Sequence, residues 1–214
     1  FHGPTLAFKD VGARFMSRCL GYFLKNETRK VTVLVATSGD TGGAVANGFY
    51  DVEGIEVVIL YPKNRVSPVQ EKQLTALGKN IHALEVNGSF DDCQALVKQA
   101  FSDESLTEKL LLTSANSINV ARWLPQQIYY VLALKQWLKI NSENPVICVP
   151  SGNFGNICAG ILAHHRGLPV EHFIAACNVN DVVPEYLRTE ILQPKETVAT
   201  ISNAMDVGDP SNFV

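Results

Sequence analysis

Apolar and polar positions along this chain repeat at two periods, and the switches between them mark out the elements. Val11, Phe15, Cys19 and Phe23 recur at every fourth position, the spacing of one helix face, so a helix is predicted over 10–24 with Asp10 placed to cap it. Val31-Thr32-Val33-Leu34-Val35 is a short β-branched run and reads as a buried strand. A Gly-rich turn follows, then a helix of small residues over 43–50. Val57-Val58-Ile59-Leu60-Tyr61 is the next strand, ended by Pro62. A helix over 67–77 has Ser67 to cap it and Pro68 at its first position, and 81–86 is a strand. The helix over 89–101 opens on Ser89 and Asp92, spaced like a capping box. A weaker segment, 110–113, precedes the longest predicted helix, 120–140, which Asn144-Pro145 stops. Val146-Ile147-Cys148-Val149-Pro150 is another buried strand, followed by a second Gly-rich turn, a helix over 155–165 and a last strand over 172–176.

Strand and helix thus alternate, and the strands are unbroken apolar runs. That pattern describes an α/β protein whose parallel sheet is covered on both faces. Ligands of such sheets sit where strand C-termini lead into helix N-termini, which directs attention to the two Gly-rich loops.

Composition narrows the class. Of 214 residues 46% are apolar and 18% charged, against about 25% charged in an average globular chain, so a sizeable core is expected. A net charge of −3 lacks the basic face of a nucleic-acid binder or a polybasic membrane-surface protein. No apolar run is long enough to span a bilayer. The five cysteines are widely spaced and form no C-x-x-C pair, which argues against a disulfide framework or zinc site and for a reducing cytoplasm. The histidines offer no metal spacing, so no metal is expected. The chain opens on Phe1-His2-Gly3-Pro4 without an initiator Met and closes on Asp209-Pro210-Ser211-Asn212-Phe213-Val214, so an internal piece of a longer enzyme is expected.

Four segments have the makings of a site. Ser151-Gly152-Asn153-Phe154-Gly155-Asn156 follows a strand and opens a helix, where backbone N–H groups and the helix dipole suit an anion. It matches neither a P-loop nor a dinucleotide fingerprint, and a plain tight turn is the competing reading. Thr37-Ser38-Gly39-Asp40-Thr41-Gly42-Gly43 brings three hydroxyls to an equivalent place; capping and a turn glycine account for only part of that set. Lys9 stands at a helix start beside Leu6, Ala7 and Phe8, where the helix dipole should lower its pKa and favour Schiff-base chemistry, unless it is a solvated helix-end lysine. In Ser114-Ala115-Asn116-Ser117-Ile118-Asn119-Val120-Ala121-Arg122, polar side chains precede a helix carrying Arg122: either an anion clamp or a capped helix with a surface Arg.

Taken together and in order, Phe1-His2-Gly3-Pro4-Thr5-Leu6-Ala7-Phe8-Lys9-Asp10, the loop from Thr37 to Gly42, the segment from Ser114 to Asn119 and the loop from Ser151 to Asn156 resemble the threonine synthase family, in its bacterial and fungal branch, over nearly all of the chain. The resemblance implies a two-lobed fold type II pyridoxal-phosphate (PLP) architecture, like the tryptophan synthase β subunit, truncated at both ends. Residues 1–27 and 126–214 would belong to the larger, PLP-carrying domain, incomplete here, and 28–125 to the smaller lobe. Lys9 would hold PLP covalently and later move protons on the substrate. Gly152, Asn153, Phe154, Gly155 and Asn156 would hold the cofactor phosphate. Thr37, Ser38, Asp40 and Thr41 would bind the substrate carboxylate and border the cofactor ring; Asn116, Ser117 and Arg122 would bind the substrate phosphate. The implied reaction converts O-phospho-L-homoserine and water to L-threonine and phosphate, in a cytoplasmic enzyme expected as a monomer, with no nucleic-acid or membrane partner. Many relatives in the wider fold type carry Asn where Asp40 stands, and a Ser or Thr hydroxyl near the pyridine nitrogen would lie beyond Val214. The resemblance also leaves the fragment itself weak or inactive. The rivals are another PLP lyase or synthase, such as a serine/threonine dehydratase or cysteine synthase, and a non-catalytic interaction module.

Overall fold

Val31–Ala36 form β1, and all six residues are buried, as happens when helices cover both faces of a strand. The structure, a computed structural model, describes residues 2–213, so Phe1 of the opening segment and Val214 of the closing one lie outside the described residues. The chain divides into two compact units, Phe1–Arg122 and Trp123–Val214.

In the first unit β2 (Ile55–Pro62) and β4 (Leu111–Ser114) flank β1, and β3 (Ile81–Val86) adds to β2. The order is β3-β2-β1-β4, and every pairing is parallel, with Val33 opposite both Val57 and Thr113. The period-2 alternation of β1 divides its side chains between two cores. Val31, Val33 and Val35 pack with Ala13 and Met16 of α1 (Lys9–Phe23), Ala44, Val45 and Phe49 of α2 (Asp40–Phe49) and Leu74 of α3 (Pro68–Thr75). Leu34 and Ala36 pack with Cys93 and Val97 of α4 (Phe90–Ser102). Phe49 is fully buried, and such a side chain contributes about 1.5–3 kcal/mol of burial.

The order also fixes where a ligand site can form. From β1 the chain steps outward through β2 to β3, then returns through α4 and a short α5 (Glu104–Thr107) to β4 on the other side of β1. Strand order reverses between β1 and β4, and in open parallel sheets the crevice beyond the carboxyl ends of two such strands is the binding position. The loops leaving those two strands hold Thr37–Asp40 and Asn116–Ser117.

In the second unit α7 (Gln127–Trp137), β5 (Val146–Pro150), α8 (Gly155–His165) and β6 (His172–Ala176) surround a smaller core of Tyr130, Val149, Ile157 and Ala159. β5 and β6 pair in parallel. α9 (Val182–Thr189) follows, and the coil after it is tied by Asp206, whose carboxylate accepts from the backbone N and hydroxyl of Thr200 and from Asn178 Nδ2.

The structure corrects four local expectations. β5, expected to be buried, has only Val149 buried. The predicted helix over 120–140 is three pieces: α6 (Val120–Trp123), a 3-10 turn at Leu124–Gln126, and α7. Pro125 causes the break, because it has no N–H to donate and its ring disfavours helical geometry at Leu124. α1, with 15 residues, is therefore the longest described helix. α5 and α9 were not expected; α5 is a single turn whose first N–H groups, those of Ser105 and Leu106, donate to the Asp103 carboxylate. Finally, Asp10 does not cap α1, whose N-cap position is Phe8. The caps expected of Ser67 and Ser89 are both made as full capping boxes, with Gln70 and Asp92.

Candidate active site

Asp10 is 1% exposed, and instead of capping the helix its carboxylate folds the preceding chain onto it. It accepts from Gly3 N at 3.0 Å, Thr5 N at 3.0 Å and the Thr5 hydroxyl at 2.6 Å. The knot turns the backbone through Leu6, which has a left-handed φ of 61°, and delivers Lys9 as the first residue of α1. The Lys9 side chain is only 14% exposed, and its Nζ lies 3.4 Å from Asp40 Oδ2 and 4.8 Å from the centre of the Phe8 ring.

The Lys9 pKa is lowered, as expected, but chiefly by a different cause. Burial disfavours the ammonium most strongly; Asp40 opposes this through its charge and hydrogen bond, and the Arg122 charge adds to the lowering. Desolvation by the folded unit thus does the work that the sequence assigned to the helix dipole.

Asp40 opens α2 behind a loop braced by Thr37. The buried Thr37 hydroxyl oxygen accepts from Gly39 N at 2.9 Å and Gly42 N at 2.8 Å, so this side chain shapes the loop from within. Ser38, Asp40 and Thr41 are half-buried at its rim. The other Asp40 oxygen, Oδ1, accepts from Gln70 Nε2 of α3 at 2.8 Å. Across β1, Asn116 turns its amide onto the strand end: Oδ1 accepts from Ala36 N at 3.1 Å and Nδ2 donates to Ala36 O at 2.7 Å. Ser117 beside it is half-buried. Arg122 is 2% exposed and donates to the Ala115 carbonyl, which excludes the surface-Arg reading. Burial pushes its guanidinium down to about 10, against the pull of Asp10. The first unit therefore places the Lys9–Asp40 pair within electrostatic reach of Arg122, and Arg122 within reach of Asp10.

The second unit holds the remaining predicted residues. Ser151 extends the sheet with its N donating to Ala176 O at 2.8 Å. Gly152 is confined: a Cβ there would lie 2.6–2.8 Å from Met205 backbone atoms, so only glycine fits. Asn153 Oδ1 accepts from the backbone N and hydroxyl of Ser211 at 2.6 and 2.9 Å. Phe154, at a left-handed φ of 60°, turns the chain into α8, which begins at Gly155. Asn156 faces the helices instead, accepting from the Tyr130 hydroxyl at 2.7 Å and donating to Gln126 Oε1 at 2.8 Å. Tyr130, Gln126 and Gln70 are polar partners that the sequence reading did not single out. Gln70 was recognisable as the third helical residue of a Ser-Pro-Val-Gln capping pattern, but nothing local announced its contact with Asp40.

Comparison with known proteins places the chain in a family. Residues 1–214 match the family described as pyridoxal-phosphate dependent enzyme. This chain belongs to that family. Threonine synthase from Haemophilus influenzae is 54% identical over 213 residues, covering 100% of this chain and 50% of that protein. The crystal structure of threonine synthase from Escherichia coli superposes with a TM-score of 0.92 at 54% identity, covering 100% of this chain and 49% of that one. A PLP-bound threonine synthase from Brucella melitensis superposes with a TM-score of 0.88 at 42% identity, covering 100% and 46%. The chain thus spans about half the length of the relatives it matches. Its fold is that of the fold type II PLP enzymes, and the family's cofactor is pyridoxal phosphate.

The residues present fit that cofactor as a PLP enzyme requires. A buried lysine whose amine is held below its ordinary pKa suits attachment of an aldehyde. Residues 151–156 contain no acidic side chain and run into the N-terminus of an 11-residue helix, which suits a phosphate monoester. Among the described residues no cluster of potential metal ligands occurs, and no helix is long and apolar enough to cross a membrane.

Proposed function

We propose that the whole protein of which this chain is part is a threonine synthase, a PLP-dependent carbon–oxygen lyase acting on phosphates. It would convert O-phospho-L-homoserine and water to L-threonine and phosphate in the cytoplasm. The observation that carries this reading is the buried Lys9 amine paired with Asp40, in a chain 54% identical over its full length to threonine synthases. On this reading residues 1–27 and 126–214 belong to the larger, cofactor-carrying domain and 28–125 to the smaller lobe.

Lys9 would hold PLP, and Gly152, Asn153, Phe154, Gly155 and Asn156 would form the site of its phosphate. When bound, PLP supplies an electron sink for carbanions on the amino-acid substrate. The chain supplies the rest. The lowered pKa of Lys9 keeps its amine ready to take and return protons, with Asp40 able to stabilise the ammonium whenever it forms. Ser38 and Thr41 at the loop rim, on a turn braced by Thr37, would receive the substrate carboxylate. Arg122, Asn116 and Ser117 would position the substrate phosphate. The buried guanidinium suits a dianion, since a charge met at low dielectric is attracted more strongly than in water.

The test uses the full-length protein. Release of L-threonine and phosphate from O-phospho-L-homoserine, with no comparable deamination of L-serine, supports the reading; equal or greater turnover of serine assigns it to another PLP lyase. Borohydride reduction with PLP should add one cofactor mass to the Lys9 peptide, and a wild-type protein that acquires none refutes the placement of PLP on Lys9.

A further inference from the structure

Gln70 lies outside every segment singled out from the sequence, yet its amide has both ends engaged. Its Oε1 accepts from Ser67 N at 2.9 Å, completing the capping box of α3, and its Nε2 donates to Asp40 Oδ1 at 2.8 Å. Those two contacts set the amide's orientation, because a flip would bring an oxygen against the carboxylate. With Oδ1 held in this way, Oδ2 is the oxygen turned to Lys9 Nζ.

The neighbouring backbone is shaped around the same amide. Gly39 has φ of 135°, and a Cβ on it would fall 2.4 Å from Gln70 Cδ and 2.6 Å from both amide heteroatoms. Any larger residue at 39 would therefore expel the amide from Asp40. A second glutamine of α3, Gln73, donates from Nε2 to the Thr5 carbonyl at 3.3 Å, so α3 is joined both to the first residue of α2 and to the turn before Lys9.

We propose that Gln70 is a positioning residue that aims the Asp40 carboxylate at the Lys9 amine, linking the cap of α3 to the reacting group. The inference rests on the reading of Lys9 as that group. It follows that Gln70 acts through Asp40 and need touch neither substrate nor cofactor. Lys9 faces Asp40 from α2 and Arg122 from α6, while Asp10 of its own helix acts on Arg122 and Glu71 of α3 acts on Tyr61. Of the two groups facing Lys9, only Asp40 raises its affinity for a proton. Loosening Asp40 therefore leaves burial and Arg122 unopposed, and the amine loses its proton more easily.

The experiment follows acetic anhydride labelling of Lys9 against pH in the cofactor-free full-length protein, read by peptide mass spectrometry. Gln70→Leu removes the donor at nearly constant volume, Asp40→Asn removes the charge, and Ser67→Ala weakens the cap without touching Asp40. Gln70→Leu should lower the labelling midpoint and raise the rate at neutral pH about threefold or more, as a shift of half a pH unit or greater would. Asp40→Asn should lower the midpoint further, and Ser67→Ala should leave it in place. Gln70→Met serves if the leucine variant does not fold. The proposal is overturned if the Gln70 variants label like wild type, if Ser67→Ala moves the midpoint as much as they do, or if Asp40→Asn does not move it. Cofactor attachment plays no part in this readout, so a failure here is distinct from a failure of the Lys9 assignment, which the borohydride mass reports.

Discussion

Lys9 shows how one side chain's chemistry is set by where the fold puts it. Its pKa is lowered in the folded protein, so between that lowered value and the ordinary 10.5 the unfolded chain binds more protons than the folded one. Stability therefore rises with pH across that window, and below it the folded state bears the full cost of a buried ammonium. Lys9→Met should accordingly stabilise the cofactor-free protein at neutral pH, with the gain shrinking as pH approaches 10.5; urea midpoints at several pH values check the sign. Arg122 makes a different case. Its burial and its bond to the Ala115 carbonyl give it a structural task beside the proposed anion contact. Arg122→Ala should cost about 1–3 kcal/mol by leaving buried polar groups unpaired, measured by urea unfolding. In the full-length enzyme it should raise the KM for O-phospho-L-homoserine far more than the Kd for PLP, and equal effects on both would remove Arg122 from the substrate site.

At the scale of elements, the two Gly-rich loops are built differently. The loop before α2 is braced from inside, since the Thr37 hydroxyl holds the amides of Gly39 and Gly42. Thr37→Val keeps the shape but strands two buried donors, and a loss of about 1–3 kcal/mol is expected in denaturant melts. The loop before α8 is held by its neighbours, through Met205 against Gly152 and Ser211 on Asn153. Asn153→Asp retains the acceptor for Ser211, replaces the amide NH2 donor with an oxygen and adds a negative charge. It should weaken PLP binding on the order of tenfold, a change of about 1.4 kcal/mol, in a fluorescence titration; unaltered affinity would take this loop out of the phosphate site. The helix starts were legible wherever the cap was local, as with Ser67 and Ser89. Asp10 misled because its partners, Gly3 and Thr5, precede the helix, and a capping pattern looks only forward along the chain.

Across the molecule, the units differ in how much sheet they contain. β1 and β2 sit inside a four-stranded sheet between helices, whereas among the described residues β5 and β6 form a two-stranded sheet, and Val146 and Ile174 stand about half exposed. A two-stranded sheet is marginal by itself. Hydrogen exchange on this 214-residue chain should thus find the β1 and β2 amides protected about tenfold or more longer than those of β5 and β6, the measure being deuterium uptake by mass spectrometry. The same contrast separates what the sequence could determine from what it could not. Strand positions, the parallel α/β class and the two Gly-rich turns were all readable, because hydrophobic period, turn glycines and motif order are properties of neighbours along the chain. The joining of Asp40 to Gln70 thirty residues away, the burial of Arg122, the break at Pro125 and the desolvation that governs Lys9 were decided by packing. Each depends on which distant atoms exclude water or stand within bonding distance, and only the folded chain brings those atoms together.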